Sequence, residues 1–228
     1  MDAGGDLEYD THVSHPWDVS PEGAIAIQEC LRSQVIRQDQ FTTIQRIAGV
    51  DVGFQEGGAL TRAAVVVLSY PGLQFEESAV SLRPTSFPYV PGLLSFREAP
   101  AALEALAHLT CLPDLLLCDG HGIAHPRRFG FASHLGLSAG LPSIGVAKSI
   151  LVGRHLPLAE RPGDWQPMTD GEEIVGAALR TQPGVKPVYV SIGHCISLES
   201  AIAWVLSCTQ NVRLPEPVRL AHRLASAH

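Results

Sequence analysis

Three strand-like segments follow one another with no helix between them, and this order constrains the fold more than any other feature of the sequence. They cover residues 44–54, 60–70 and 74–84. Consecutive strands with short connections favour an antiparallel meander. Helical and strand-like segments then alternate to the end of the chain, where a last helix is predicted to start at Pro217. A meander followed by this alternation predicts an α/β fold, with a mixed central sheet flanked by helices.

The sequence divides into a short tail and one domain. Residues 1–20 have no apolar periodicity, which predicts a loose N-terminal tail. Apolar residues at helical spacing begin after Pro21, so a helix is expected there. No linker or internal repeat interrupts residues 21–228, which are predicted to form a single domain and a monomer. Residues 153–173 are expected to form a long surface loop.

Composition excludes several classes of protein. Hydrophobic residues make up 46% of the 228 residues, enough for a sizeable core. No apolar run reaches the roughly 18 residues of a membrane span, and the acidic N-terminus is unlike a signal peptide. Five cysteines without CxxC spacing indicate reduced thiols, so a cytoplasmic location is expected. The net charge of −7 argues against a general nucleic-acid coat but allows an enzyme with clustered carboxylates.

A carboxylate ends the apolar run Leu115–Cys118. Asp119 is expected at the carboxyl edge of the sheet, where α/β proteins place ligand chemistry. Gly120 and Gly122 follow and would let the backbone approach a ligand closely. An aspartate that only caps an Asp-Gly turn is an alternative that the sequence leaves open.

Asp51 lies within a strand pattern, where aspartate is disfavoured. It shares one face of the strand with Gly49 and Gly53, which are expected to leave open space beside the carboxylate. The alternative is a surface-facing aspartate on a half-exposed strand.

Glu98 is the third candidate carboxylate. Ser95 and Glu98 have the spacing of a capping box. Pro100 would then fall in the second turn, where its ring clashes with a carbonyl, so we expect it in the first turn and Glu98 just before the helix. Three acidic groups on separate elements suit Mg²⁺, which prefers oxygen ligands.

Six basic or imidazole positions accompany the carboxylates. Lys148 follows a short strand and could contact a phosphate or the attacking water, or simply extend into solvent. His194 stands between a strand and a helix, where it could reach a cleft or form structural hydrogen bonds. His121 and His125 could form a zinc site with Asp119. Arg127 and Arg128 are candidate phosphate contacts.

Five stretches together resemble the endonuclease V family of deoxyinosine-specific nucleases. In order along the chain they are IAGVDVGF, PYVPGLLSFREAP, DGHGIAHPR, GVAKS and SIGHCISLESA. The resemblance implies an RNase H-like fold and hydrolysis of the second phosphodiester bond 3′ to deoxyinosine, which leaves 3′-hydroxyl and 5′-phosphate ends. It implies Mg²⁺ as the cofactor, with Mn²⁺ as a substitute. The resemblance also implies DNA containing deoxyinosine as the partner, with inosine-containing RNA as an alternative substrate.

The resemblance also implies roles for individual residues. Asp51, Glu98 and Asp119 would be metal ligands, with Lys148 and His194 beside them in the catalytic centre. Other groups would contact the nucleic acid. They are the wedge Pro88, Tyr89, Val90 and Pro91; the lesion-pocket residues Gly92, Leu94, Gly120, Gly122 and Ala147; and the strand-backbone contacts His125 and Arg127.

Two other functions remain open at the level of sequence. A zinc hydrolase built on His121, His125 and Asp119 would leave Asp51, Glu98 and Lys148 without roles. A binding module that recognises inosine or mismatches and recruits other proteins would bind lesions without nicking them.

Overall fold

The computed structural model describes residues 13–227. Over this range the chain forms eight strands and five α-helices. The strands are β1 (Arg46–Gln55), β2 (Leu60–Ser69), β3 (Phe75–Pro84), β4 (Leu115–Cys118), β5 (Ser143–Ala147), β6 (Trp165–Asp170), β7 (Glu173–Leu179) and β8 (Val188–His194). The helices are α1 (Pro21–Leu31), α2 (Leu94–Ala107), α3 (Phe131–Ala139), α4 (Leu198–Ser207) and α5 (Glu216–Ala225).

All eight strands belong to one mixed sheet, in the order β3-β2-β1-β4-β5-β8-β7-β6. β1, β2 and β3 form the predicted antiparallel meander. β4 pairs in parallel with β1, and β5 in parallel with β4, whereas β8 runs antiparallel to β5. The predicted α/β fold, an RNase H-like mixed sheet between helices, is therefore confirmed.

The core lies on both faces of this sheet because the central strands are apolar on both sides. Along β4, Leu116 and Cys118 pack with α2 and α3 on one face. Leu115 and Leu117 pack with α4 and α5 on the other. Near-continuous apolar runs are typical of strands covered on both faces.

The expected surface loop at 153–173 contains a strand that sequence analysis missed. Trp165–Asp170 forms β6, and Thr169 exchanges backbone hydrogen bonds of 2.9 Å with Arg154. β6 is at the edge of the sheet, and an edge strand tolerates Pro167 because one side of its backbone needs no partner. Proline had obscured the strand pattern.

The expected loose tail is wrong for residues 13–20, and residues 1–12 lie outside the described range. The Nε2 atoms of His15 and buried His134 are 2.7 Å apart. Trp17 stacks on His134 with ring centroids separated by 4.7 Å. The Ser20 side chain accepts a hydrogen bond from Gly23 at the start of α1. A few aromatic rings anchor this segment without any periodic pattern.

None of the helices described between residues 13 and 227 is long and apolar enough to cross a membrane.

Candidate metal centre and adjoining cavity

Asp51 and Asp119 lie side by side on neighbouring strands. β1 and β4 are parallel, with Val50 opposite Cys118. The Asp119 backbone N–H continues this pairing by donating to the Val50 carbonyl at 2.8 Å. Both side chains are only 12% exposed. The register of two parallel strands thus brings together two carboxylates that are 68 positions apart in sequence.

His222 completes this cluster, and sequence analysis did not identify it. Its Nδ1 lies 2.6 Å from Oδ2 of Asp51 and 3.9 Å from Oδ2 of Asp119. The candidate ligand atoms of the three residues all lie within 4.8 Å of one another. Two carboxylates and an imidazole at this spacing fit a divalent cation, so the residues present match a metal-dependent site.

Two glycines explain how His222 reaches Asp51. A Cβ atom on Gly49 would lie 1.9 Å from the Pro217 carbonyl oxygen, and one on Gly53 would lie 2.8 Å from the Ala225 carbonyl oxygen. The backbone of α5 therefore fills the space beside Asp51 that the sequence suggested was open. Glycines on one strand face can mark close approach of another backbone, and this was the available signal for α5.

Lys148 joins the cluster from the end of β5. Its Nζ donates to Oδ2 of Asp119 in an ion pair and lies 3.4 Å from Nδ1 of His222. Arg213 donates to the Lys148 carbonyl at 2.7 Å, which holds the backbone at this point. The structure therefore places Lys148 beside the carboxylates and not as an isolated surface residue.

Glu98 lies within α2, not before it. The helix begins at Leu94 without a side-chain cap, so the capping-box interpretation of Ser95 is also wrong. Pro100 lies inside the helix, where it removes a hydrogen bond to the Phe96 carbonyl. Packing of this helix against the sheet offsets that loss, because Phe96 and Ala99–Leu103 are buried.

Burial and repulsion from neighbouring carboxylates dominate the electrostatics of Asp51 and Glu98. Burial raises the pKa of Asp51, and the nearby Asp119 raises it further against the opposing hydrogen bond from His222. Burial raises the pKa of Glu98 well above its usual range, and Asp51 and Asp119 add to this effect. Carboxylates that repel one another in a poorly solvated site favour binding of a cation.

His194 is placed away from this cluster. It pairs with Ser143 at the beginning of β5, whereas Lys148 follows the end of β5. Ser143 and Lys148 are five positions apart along this strand, which is roughly 16 Å. The His194 Nδ1 accepts a hydrogen bond from the Ile36 N–H at 3.3 Å. The expectation that His194 lies beside the catalytic centre is therefore corrected, because β8 runs antiparallel to β5.

A cavity of about 330 Å³ adjoins the carboxylates. Glu98 and Asp119 form its polar side, and Phe131 and Leu151 contribute apolar surface. Its size is in the lower range of small-molecule pockets. Of the five predicted lesion-pocket residues, three line it: Gly92, Leu94 and Gly120.

Gly122 and Ala147, the other two predicted pocket residues, are not among the lining residues. Gly122 is buried, donates its N–H to the Ser191 hydroxyl at 2.8 Å, and has no room for a Cβ atom beside the Ile192 carbonyl. Ala147 is buried in β5. Gly122 instead allows close packing against β8.

The predicted wedge projects over the cavity. Tyr89 is 69% exposed and contributes to the cavity wall. Pro88 and Pro91 on either side are exposed, whereas Val90 packs partly against the buried Phe87 cluster. A prolyl-bounded loop that holds an aromatic ring in solvent has the geometry for contact with a base.

The basic residues and histidines after Asp119 have protein partners. His121 bonds to the Ser149 carbonyl at 2.9 Å, and His125 to the Gly92 carbonyl at 2.9 Å. Arg127 also donates to the Gly92 carbonyl. In residues 13–227 the only three-residue metal-binding group is Asp51, Asp119 and His222, so the zinc site with His121 and His125 is not assembled.

Arg128, the other candidate phosphate contact, is also engaged. It pairs with Asp170 at 2.8 Å and with Glu173 at 2.7 Å. These contacts fasten the loop after Asp119 to the β6–β7 turn.

A mixed sheet on which two buried carboxylates of neighbouring strands meet a histidine and a lysine beside an open cavity is characteristic of a metal-dependent nuclease. A sequence model of endonuclease V matches residues 29–223. The chain is 60% identical over 213 residues to endonuclease V of Trichormus variabilis, covering 93% of this chain and 96% of the relative. The chain belongs to the endonuclease V family.

Solved structures agree with this assignment. Endonuclease V from Streptomyces avermitilis is 44% identical and superposes with a TM-score of 0.87, covering 93% of this chain and 94% of that one. A Ciona intestinalis endonuclease V is 30% identical with a TM-score of 0.78, covering 91% and 97%. That structure contains a 23mer DNA with an inosine followed by a ribo-adenosine.

Proposed function

We propose that this endonuclease recognises deoxyinosine in DNA and hydrolyses the second phosphodiester bond on the 3′ side of the lesion. The products are 3′-hydroxyl and 5′-phosphate ends. The observation that supports this most directly is the cluster Asp51, Asp119 and His222, because its Asp119 also lines the cavity to which the exposed Tyr89 contributes. The Ciona relative bound to inosine-containing DNA supports the choice of lesion.

The cavity suits an extruded purine. Hypoxanthine keeps the O6 acceptor and N1–H donor of guanine but lacks its 2-amino group. Backbone groups at Gly92 and Gly120 can approach a base closely because neither residue has a side chain. A close wall there would admit hypoxanthine and exclude guanine. Extrusion costs a few kcal/mol and costs less for a poorly paired base, which also favours the lesion.

Tyr89 is proposed to fill the gap that the extruded base leaves. Its ring stands in solvent at the rim of the cavity, between Pro88 and Pro91. Stacking of an aromatic side chain on a base contributes about 1–3 kcal/mol. The prolines limit the conformations of the loop, so less entropy is lost when the ring inserts.

Asp51, Asp119 and His222 are proposed to hold the catalytic ion, with Glu98 completing the acidic set. Mg²⁺ is the proposed cofactor and Mn²⁺ its substitute. When bound, such an ion polarises the phosphoryl oxygens and lowers the pKa of water. Lys148 is proposed to offset the negative charge that develops on the phosphate, and the ion pair of its ammonium group with Asp119 supports this role.

Inosine-containing RNA is proposed as a second substrate, since the features above read a base and a phosphate and not the sugar. His125 and Arg127 are proposed to support the substrate strand through the loop they stabilise. We propose in addition that the enzyme is a monomer and that it is located in the cytoplasm.

A cleavage assay tests this function. End-labelled duplexes with one inosine, and matched duplexes with guanosine, are prepared as DNA and as RNA and incubated with Mg²⁺, Mn²⁺, Zn²⁺ or EDTA. The expected product is a nick one nucleotide beyond inosine that requires Mg²⁺ or Mn²⁺. His222→Ala and Asp119→Asn should abolish it. Glu172→Gln, which removes an exposed carboxylate in the β6–β7 turn, is the matched control.

Binding without a nick would instead support the recruiting module, and a nick at another bond would contradict the proposed register. If the protein neither binds nor nicks inosine-containing strands, the substrate assignment is refuted. The ratio of DNA to RNA cleavage decides the preferred polymer.

A further inference from the structure

One backbone carbonyl beside the cavity receives three hydrogen bonds. The Gly92 oxygen accepts from Gln28 Nε2 at 3.1 Å, His125 Nε2 at 2.9 Å and Arg127 Nη2 at 2.6 Å. A carbonyl oxygen has two lone pairs, so three donors saturate it. Gly92 directly follows the wedge Pro88–Pro91 and has a φ of +78°, a conformation that favours glycine.

Gln28 of α1 is at the centre of this arrangement. It is fully buried and does not line the cavity. Its Nε2 also donates to the Phe129 carbonyl at 3.2 Å, and its Oε1 accepts from Arg127 Nε at 2.5 Å. Both ends of the amide are therefore engaged. Because an unpaired polar atom is costly when buried, these partners define one orientation of the amide.

The hydrogen bonds of His125 define its tautomer. The Arg127 backbone N–H donates to Nδ1 at 3.2 Å, so Nε2 carries the proton and donates to Gly92. Burial lowers the pKa of His125 to about 4, and the charge of Arg127 contributes to this lowering. The ring is neutral at neutral pH.

We propose that Gln28, His125 and Arg127 act as a clamp on the Gly92 carbonyl that sets the distance between the wedge and the pocket wall, and thereby the preference for hypoxanthine over guanine. The clamp connects α1, the end of the wedge and the 125–129 loop. These last two segments meet at the cavity wall, where Gly92 and His125 both line it. This inference rests on the proposed function.

Gln28 is thus a positioning residue, and its effect on specificity follows from the small difference between the two bases. One exocyclic amino group distinguishes guanine from hypoxanthine, so a wall that relaxes outward loses the steric contact that excludes guanine. The clamp residues do not contact Asp51, Asp119 or His222 in any described hydrogen bond. Changes at Gln28 should therefore alter binding and discrimination more than the chemical step.

Two substitutions separate the functions of the amide. Gln28→Met keeps the length of the side chain and removes all its hydrogen bonds. Gln28→Glu keeps an acceptor for Arg127 but replaces the Nε2 donor by an oxygen, so the hydrogen bonds to the Gly92 and Phe129 carbonyls are lost. Leu31→Ala, on the buried face of the same helix, removes packing without touching the clamp and is the matched control.

Amide hydrogen exchange without nucleic acid tests the clamp itself. Both Gln28 variants should speed exchange in the peptide covering residues 88–94 by about tenfold, whereas Leu31→Ala should leave its rate relative to the other loops unchanged. Unchanged exchange in both Gln28 variants would overturn the clamp.

Binding and single-turnover cleavage of inosine and guanosine duplexes test whether the clamp contributes to recognition of hypoxanthine. Gln28→Met should weaken binding of the inosine duplex about tenfold and reduce the preference for it over guanosine. The cleavage rate at saturating protein should change less than threefold, with the same Mg²⁺ dependence. Leu31→Ala should lower the melting temperature and keep the preference.

The outcomes distinguish this inference from the proposed function. Faster exchange with an unchanged preference for inosine would overturn the role in recognition while leaving the nuclease assignment intact. A wild-type protein that does not prefer inosine would overturn the proposed function and this role together, and the exchange data would still decide whether the clamp exists.

Discussion

Gly49→Ala should damage the metal centre although it changes none of the proposed ligands. The added Cβ atom would lie 1.9 Å from the Pro217 carbonyl oxygen, and 3.0 Å is the closest approach that real Cβ atoms make. The start of α5 must therefore move away from β1 by about 1.1 Å or more. The Cβ position is fixed by the backbone of residue 49 and its partner is a backbone carbonyl, so no side-chain rotation can relieve the contact.

This displacement is large on the scale of the site. His222 is on α5 and its Nδ1 is 2.6 Å from Asp51, so an outward shift of that size extends the contact beyond a normal hydrogen bond. Overpacking of this kind costs about 1–3 kcal/mol of stability. Misplacement of a ligand by its supporting structure typically weakens metal binding by about 10- to 100-fold.

Two measurements check this prediction. Mn²⁺ titration followed by electron paramagnetic resonance gives the affinity, and urea unfolding gives the stability. Gly72→Ala is the control, because a Cβ atom there meets only the Gln74 side chain at 3.6 Å and the Ser69 hydroxyl at 3.9 Å, both ordinary contacts, and should change neither quantity. His222→Ala sets the lower limit for affinity. A folded Gly49→Ala protein with wild-type Mn²⁺ affinity would refute the reasoning that α5 packing positions the third ligand.

Four further predictions follow from the site. Lys148→Met should lower the cleavage rate at least tenfold while inosine binding persists, because the ammonium group pairs with a carboxylate in the cluster; single-turnover kinetics will check this. Tyr89→Ala should impair cleavage of duplex more than of single-stranded inosine substrates, and equal losses would contradict the wedge role. His194→Gln should retain cleavage within about threefold, since the residue lies at the end of the strands opposite to the metal centre; a large loss in a folded variant would contradict its placement. His125 has a folded-state pKa of about 4 against an ordinary value of 6.5, so the unfolded chain takes up a proton first as pH falls and the folded state loses up to about 3 kcal/mol between pH 6.5 and 4. Urea unfolding at pH 7 and pH 4.5 should show a smaller loss for His125→Gln than for the wild type.

Local patterns in the sequence determined much of the fold. Runs of apolar residues with turn residues between them predicted the β1–β3 meander, and alternation after it predicted a mixed α/β sheet. The same reasoning identified Asp119, because a carboxylate that ends a buried strand is unusual. Where regular spacing was absent, as in β6 and the His15–Trp17 segment, the sequence carried no such signal.

The motifs shared with the family predicted most of the candidate site as well. Asp51, Asp119 and Lys148 lie together as those motifs implied, and Tyr89 projects at the rim of the cavity. His194 shows the limit of the approach. A histidine at a strand end is a plausible site residue. Whether it lies at the same end of the sheet as the carboxylates depends on the direction of β8, which is antiparallel to β5.

What the tertiary structure alone decided is which distant segments meet. His222 reaches Asp51 across 171 positions because α5 crosses β1 over two glycines, and Gln28 reaches Gly92 across 64. The periodicity of a segment reports which of its faces is buried. It does not report which other segment covers that face, because such contacts depend on the packing of whole elements and leave no fixed spacing in the sequence.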